Sequence, residues 1–141
     1  MSTTTDWAAE LRQRKALYDK ACAELAHAKQ HHRDVVVRLT YDLPIAEVAS
    51  LSGWSVAYLR RLRGEGPQEG LLSRTTYTPQ RLIHDAREGI ERSEESMERH
   101  RYSYISYMRE ITQPALSMSD VAEVVGVSRQ RVSQLLSSLE D

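Results

Sequence analysis

With one cysteine in 141 residues, Cys22 has nothing to pair with inside the chain. An intrachain disulfide is excluded, and this usage fits a reducing compartment. No apolar run approaches the roughly 20 residues a helix needs to cross a bilayer, so no membrane partner is expected. The stretch MSTTTDWAAELRQRK has neither the apolar core nor the cleavage site of a signal peptide, which predicts a cytoplasmic location. There is no glycine-rich phosphate loop, and no segment alternates apolar and polar residues as a half-buried strand does. Only LLSRTTYT (71–78) has any extended character. Nor is there an excess of one charge. The formal net charge of −1 argues neither for nor against nucleic acid, so the local distribution has to decide. The length suits one compact domain or two very small ones and leaves little room for a large catalytic core.

What is present is ordinary for a globular chain, with 40% hydrophobic and 28% charged residues. Arginine supplies 16 of the 19 basic residues, an association with GC-rich bacterial genomes. Two long segments carry a heptad pattern. In the first, Leu11, Tyr18, Leu25, His32 and Leu39 recur every seven residues, with Arg14, Ala21, Ala28 and Val35 three further on. The second has Ile83, Ile90, Met97, Tyr104 and Ile111, followed by Ala86, Ser93, His100 and Tyr107. Each leading position lies 72 residues from its counterpart. The correspondence continues beyond the helices, where LPIAEVASLSGWSVAYLRRL aligns with LSMSDVAEVVGVSRQRVSQL after one inserted residue. The chain reads as an internal duplication. Residues 1–63 form a long helix of about 30 residues and two short helices, 64–77 a linker around GEGPQEG, and 78–141 the second copy. The fold class is all-α.

The helix boundaries have their own chemistry. Asp6 can cap the first long helix, and Thr78 followed by Pro79 is a cap and first-turn signal for the second. Ser117 with Asp120 three residues on resembles a capping box. Gly53 and Gly126 suit the left-handed backbone of a turn, and Ser55 and Ser128 just after them can cap the next helix. Ala49 and Ala122 let the two short helices cross closely.

This pattern resembles the helix-turn-helix superfamily of DNA-binding proteins, closest to the tri-helical type of sigma-factor region 4 and many bacterial regulators. The resemblance covers about 20 residues per copy and the end of the preceding long helix. Apolar slots match at Val121, Ala122, Val125, Val127, Val132 and Leu135, and at Val48, Ala49, Trp54, Leu59 and Leu62; Ser52 stands in one of them. The competing interpretation is a helical hairpin in an ordinary bundle, which does not explain why the pattern occurs twice.

The resemblance implies double-stranded DNA as partner. In the second copy, Ser128, Arg129, Gln130, Arg131, Ser133 and Gln134 lie at the start of the second short helix with no acid among them. Arginine can pair with guanine and glutamine with adenine in the major groove. In the first copy, Ser55 precedes Val56 and Ala57, which could touch only a thymine methyl. Arg60, Arg61 and Arg63 follow and suit phosphates, so the second copy is expected to read bases and the first to grip more weakly. A protein-interaction module contacting RNA polymerase or a sigma factor is the rival, supported by the near-neutral net charge.

Other constellations carry less. His27 and His31 are four apart on one face, but no cysteine or carboxylate stands at ligand spacing, so a solvated face is the better reading and no metal is expected. Glu91, Glu94, Glu95 and Glu98 alternate with Arg92, Arg99 and Arg101 as a salt-bridged face. Cys22 sits among alanines as a packing residue. Neither catalysis, a cofactor nor a small-molecule ligand is indicated. Bulky residues at one seam position and small ones at the other favour an antiparallel, coiled-coil-like pairing of the long helices, large against small, and the apolar seam favours a homodimer. Arg14, His32 and His100 interrupt that seam and call for polar contacts or further helices to cover it.

Overall fold

The computed structural model of the chain describes residues 4–112 and 116–139. Six α-helices follow one another: α1 (Thr4–Leu39), α2 (Ile45–Ser52), α3 (Val56–Arg63), α4 (Pro79–Thr112), α5 (Met118–Val125) and α6 (Arg129–Ser137), with a 3-10 turn at Leu72–Arg74. The fold is all-α, with no strand among the described residues. LLSRTTYT therefore supplies the 3-10 turn rather than a strand.

The helix ends follow their chemistry. Thr78 Oγ1 accepts the Arg81 N–H at 3.1 Å, which caps α4 ahead of Pro79. Asp6 lies inside the first turn of α1 rather than ahead of it, where a carboxylate faces the positive end of the helix dipole. Ser117 and Asp120 form the complete reciprocal box at the start of α5. The first copy has Pro44 at the matching place, and α2 starts without a side-chain cap.

The chain divides into two compact units, residues 24–93 and residues 1–23 with 94–141. This division runs through both long helices and not through 64–77. In the unit of residues 24–93, Val35, Val36 and Leu39 of α1, Val48 of α2, Leu59 of α3, and Ile83 and Ala86 of α4 form one buried cluster. In the other, Leu11 of α1 packs with Tyr104, Ile105 and Met108 of α4, Val121, Ala122 and Val125 of α5, and Val132 and Leu135 of α6. Truncating a fully buried leucine such as Leu59 to alanine costs about 2–5 kcal/mol.

The two long helices run antiparallel within this second unit: Arg14 lies over the Tyr107 ring at 4.5 Å, and one turn further along α1 Tyr18 stacks on Tyr104 at 5.9 Å. Here two bulky positions meet, not a large one and a small one. Within this unit α5 and α6 pack against the same seam from the side. Of the interrupting residues, Arg14 finds polar partners, His32 is buried against a ring and His100 is half-buried. Arg14 bonds to Glu10, to the Ser103 carbonyl at 3.1 Å and to Ser103 Oγ at 3.2 Å. His32 lies under Trp54.

The 64–77 segment has little regular structure but is held in place. Arg38 donates to the Glu69 and Gly70 carbonyls, each at 3.0 Å, while the Asp42 carboxylate accepts the N–H groups of Leu71 and Leu72 at 2.6 and 3.0 Å. A Cβ at Gly70 would collide with that carboxylate.

Candidate nucleic-acid interface

Both short helix pairs are built alike. After α2 the chain turns through Gly53 at φ 78°, and after α5 through Gly126 at φ 73°, each in the left-handed region where a side chain is disfavoured. Each glycine N–H closes its helix by donating at 2.9 Å, Gly53 to Ala49 and Gly126 to Ala122. The next helix is then capped: Ser55 Oγ accepts the Tyr58 N–H at 3.1 Å, and Ser128 Oγ accepts the Arg131 N–H at 3.0 Å. Leu59 and Leu62 anchor α3, while Val132 and Leu135 anchor α6. With these faces buried, each helix has its other side directed to solvent.

On α6 the outward row is Ser128, Arg129, Gln130, Arg131, Ser133 and Gln134, all exposed. Among the described residues, no hydrogen bond or ion pair engages the side chains of Arg129, Gln130 or Gln134. Arg131 is placed differently. Burial raises the pKa of both Tyr18 and Tyr104, and the Arg131 charge is a lesser influence that acts against that rise on each. Arg129, Gln130, Ser133 and Gln134 are the part of the row free to meet a partner.

On α3, Ser55 and Ala57 are exposed and Val56 is half-buried. Arg60 and Arg61 are exposed and Arg63 is half-buried. Two of these three cations rest on tyrosine rings: Arg61 lies 5.1 Å from the centre of Tyr58, and Arg63 lies 4.4 Å from that of Tyr41. The Tyr41 hydroxyl donates to the Arg63 carbonyl at 3.3 Å, and Arg63 Nε is buried without a partner. The sequence of α3 indicates the arginines but not the rings beneath them: Tyr58 lies one turn before Arg61, and Tyr41 meets Arg63 across 22 residues of chain.

The residues set aside remain on the surface or in packing. His27 and His31 are exposed, and Cys22 is half-buried beside Tyr18. Glu91, Glu94, Glu95 and Glu98 are exposed, with Arg101 3.7 Å from Glu98. His84, Asp85 and Glu88 bring possible ligand atoms within 4.8 Å of one another, but Asp85 is held by Arg81 at 3.0 Å and Glu88 by His84 at 3.0 Å. That geometry is an ion-paired helix face. No helix among the described residues is long and apolar enough to cross a membrane.

Comparison with known proteins gives no parallel: the chain matches no family model, no curated protein and no solved structure.

Proposed function

We propose that this chain is a bacterial sequence-specific DNA-binding protein with tandem helix-turn-helix units, acting in the cytoplasm at the nucleoid as a transcriptional regulator of chromosomal, phage or plasmid origin. The observation that carries this reading is the outward row of α6. Arg129 and Gln130 stand exposed and unengaged just after a serine cap, on a helix whose opposite face is locked into a core. Side chains of this kind match guanine and adenine edges in the major groove, and the helix N-terminus favours phosphate. Arg60 and the ring-supported Arg61 and Arg63 of α3 suit backbone phosphates, where they would add affinity without sequence preference.

A second reading has one specific observation in its favour. Tyrosine and arginine are enriched where proteins meet proteins, and α3 offers that pair twice, as Arg61 on Tyr58 and Arg63 on Tyr41. On that reading the unit of residues 24–93 contacts RNA polymerase, a sigma factor or another protein.

One experiment separates the two. Sites selected from a random DNA pool are tested by gel shift across a salt series, with the wild-type chain and with Arg129→Ala and Gln130→Ala. DNA reading predicts a steep salt dependence and a loss of about 1–3 kcal/mol for each variant at the selected site. Melting temperature should be unchanged, because both side chains lie outside the core. Variants that bind the selected site like wild type would remove α6 from the base-reading role, and failure to select any site would favour the protein-contact reading.

A further inference from the structure

His32 is a buried polar residue that the DNA-binding reading leaves unused. Only 6% of it is exposed, and its Nε2 is buried without a hydrogen-bond partner. Its ring meets Trp54 edge-on at 5.1 Å, and Trp54 in turn meets Tyr58 of α3 at 5.2 Å. Trp54 is the middle residue of the Gly53–Ser55 turn that orients α3. Beside the same imidazole stands Arg87 of α4, whose guanidinium donates to the carbonyl of Ser52, the last residue of α2. The Ser52 hydroxyl accepts the Trp54 N–H at 3.1 Å. Four neighbouring groups, from α1, the end of α2, the turn and α4, thus depend on one another within the unit of residues 24–93.

We propose that His32 is an acid-sensitive latch on the first helix pair, holding the Gly53–Ser55 turn while neutral and loosening it when protonated. A proton on this ring would place a cation in a dry site. The charges that reach it are Arg87 on α4 and His31 on its own helix, and both oppose protonation. The ring that meets it edge-on is neutral, Trp54 in the turn, with Tyr58 of α3 behind. Burial is the largest influence and lowers the pKa from its ordinary 6.5, with the two like charges acting in the same direction. The sign follows. The unfolded chain takes up the proton first as pH falls, so the latch's contribution is complete above about pH 6.5 and is lost as the pH falls from there through the lowered folded-state midpoint. Repulsion would push the imidazolium and Arg87 apart, releasing the Ser52 carbonyl and the Trp54 packing together. On the DNA-binding reading, on which this consequence alone rests, acid would weaken the grip of α3 while leaving α6 intact.

The test is an NMR titration of the full chain from pH 7.5 to 5.5 without DNA, so that its outcome is independent of whether the chain binds DNA. The His32 ring should protonate below the ordinary imidazole value of 6.5. The Trp54 indole and the amides of residues 45–63 should shift and lose exchange protection in step with it, while those of α5 and α6 hold. His32→Leu should abolish that step. Should His32→Leu fail to fold, Arg87→Met serves instead: with the opposing charge gone, the His32 midpoint should move upward. A Trp54 signal indifferent to His32 protonation, a step that persists in His32→Leu, or an unmoved midpoint in Arg87→Met would each overturn the proposal.

Discussion

His32 and Tyr104 occupy the same seam position of the two copies, and each is a buried aromatic with its polar atom unpaired: Nε2 in one, the hydroxyl in the other. The duplication has kept a large ring at this place and changed what its polar atom can do. An imidazole responds to mild acid, whereas the phenol of Tyr104 is pushed up to about 12, mainly by burial and then by Asp19. A raised acid pKa means that the folded state keeps its proton longer than the unfolded one. Its contribution to stability is therefore present below pH 10 and is lost as the pH rises towards 12. Burial raises Tyr18 and Tyr107 as well, so an ultraviolet titration should show a group of late-ionising tyrosines from which Tyr104→Phe removes the component near pH 12, with a shallower alkaline loss of stability in the variant. A second residue-scale prediction concerns Gly126. Nothing lies within 4 Å of where its Cβ would be, so Gly126→Ala tests backbone conformation alone. At φ 73° the expected loss is about 1–2 kcal/mol in denaturant unfolding. An unchanged midpoint would mean that the turn can relax.

Among the elements, the caps and turns were legible because their chemistry is local. The serine caps at Ser55 and Ser128, the box at Ser117 and the left-handed glycines each involve groups only a few residues apart. The 64–77 segment was not legible in the same way. Its composition announced the absence of regular structure, but its anchoring comes from Arg38 and Asp42, which bind backbone groups 29–32 residues away and leave no trace in side-chain pattern. Asp42→Ala should release the Leu71 and Leu72 N–H groups to water. The expected cost is about 1–2 kcal/mol, accompanied by faster proteolytic cutting between residues 64 and 77. If cutting and stability both match wild type, the clip does not constrain the segment.

For the whole molecule, the question the sequence raised was what covers the apolar seam. Leu11, Ala21, Val35, Leu39, Ile83, Ala86 and Tyr104 are all buried within a single chain. Leu25, Ala28, Ile90 and Met97 of the same seam are only half-buried, so the expected homodimer remains a proposal: sedimentation of the free protein should give the mass of two chains, and the mass of one would overturn it. The sequence by itself determined the helical class, the duplication and the start and stop of the short helices, because heptad spacing, serine caps and turn glycines act over a few residues. Tertiary structure alone decided how the copies share their cores. Each compact unit draws on both long helices, since a seam 30 residues long must be covered on more than one side, and residues far apart in the chain supply the cover. The same distance effect set Trp54 over His32 and Tyr41 under Arg63. These are contacts of rings and charges that meet only after folding, and no spacing in the sequence encodes them.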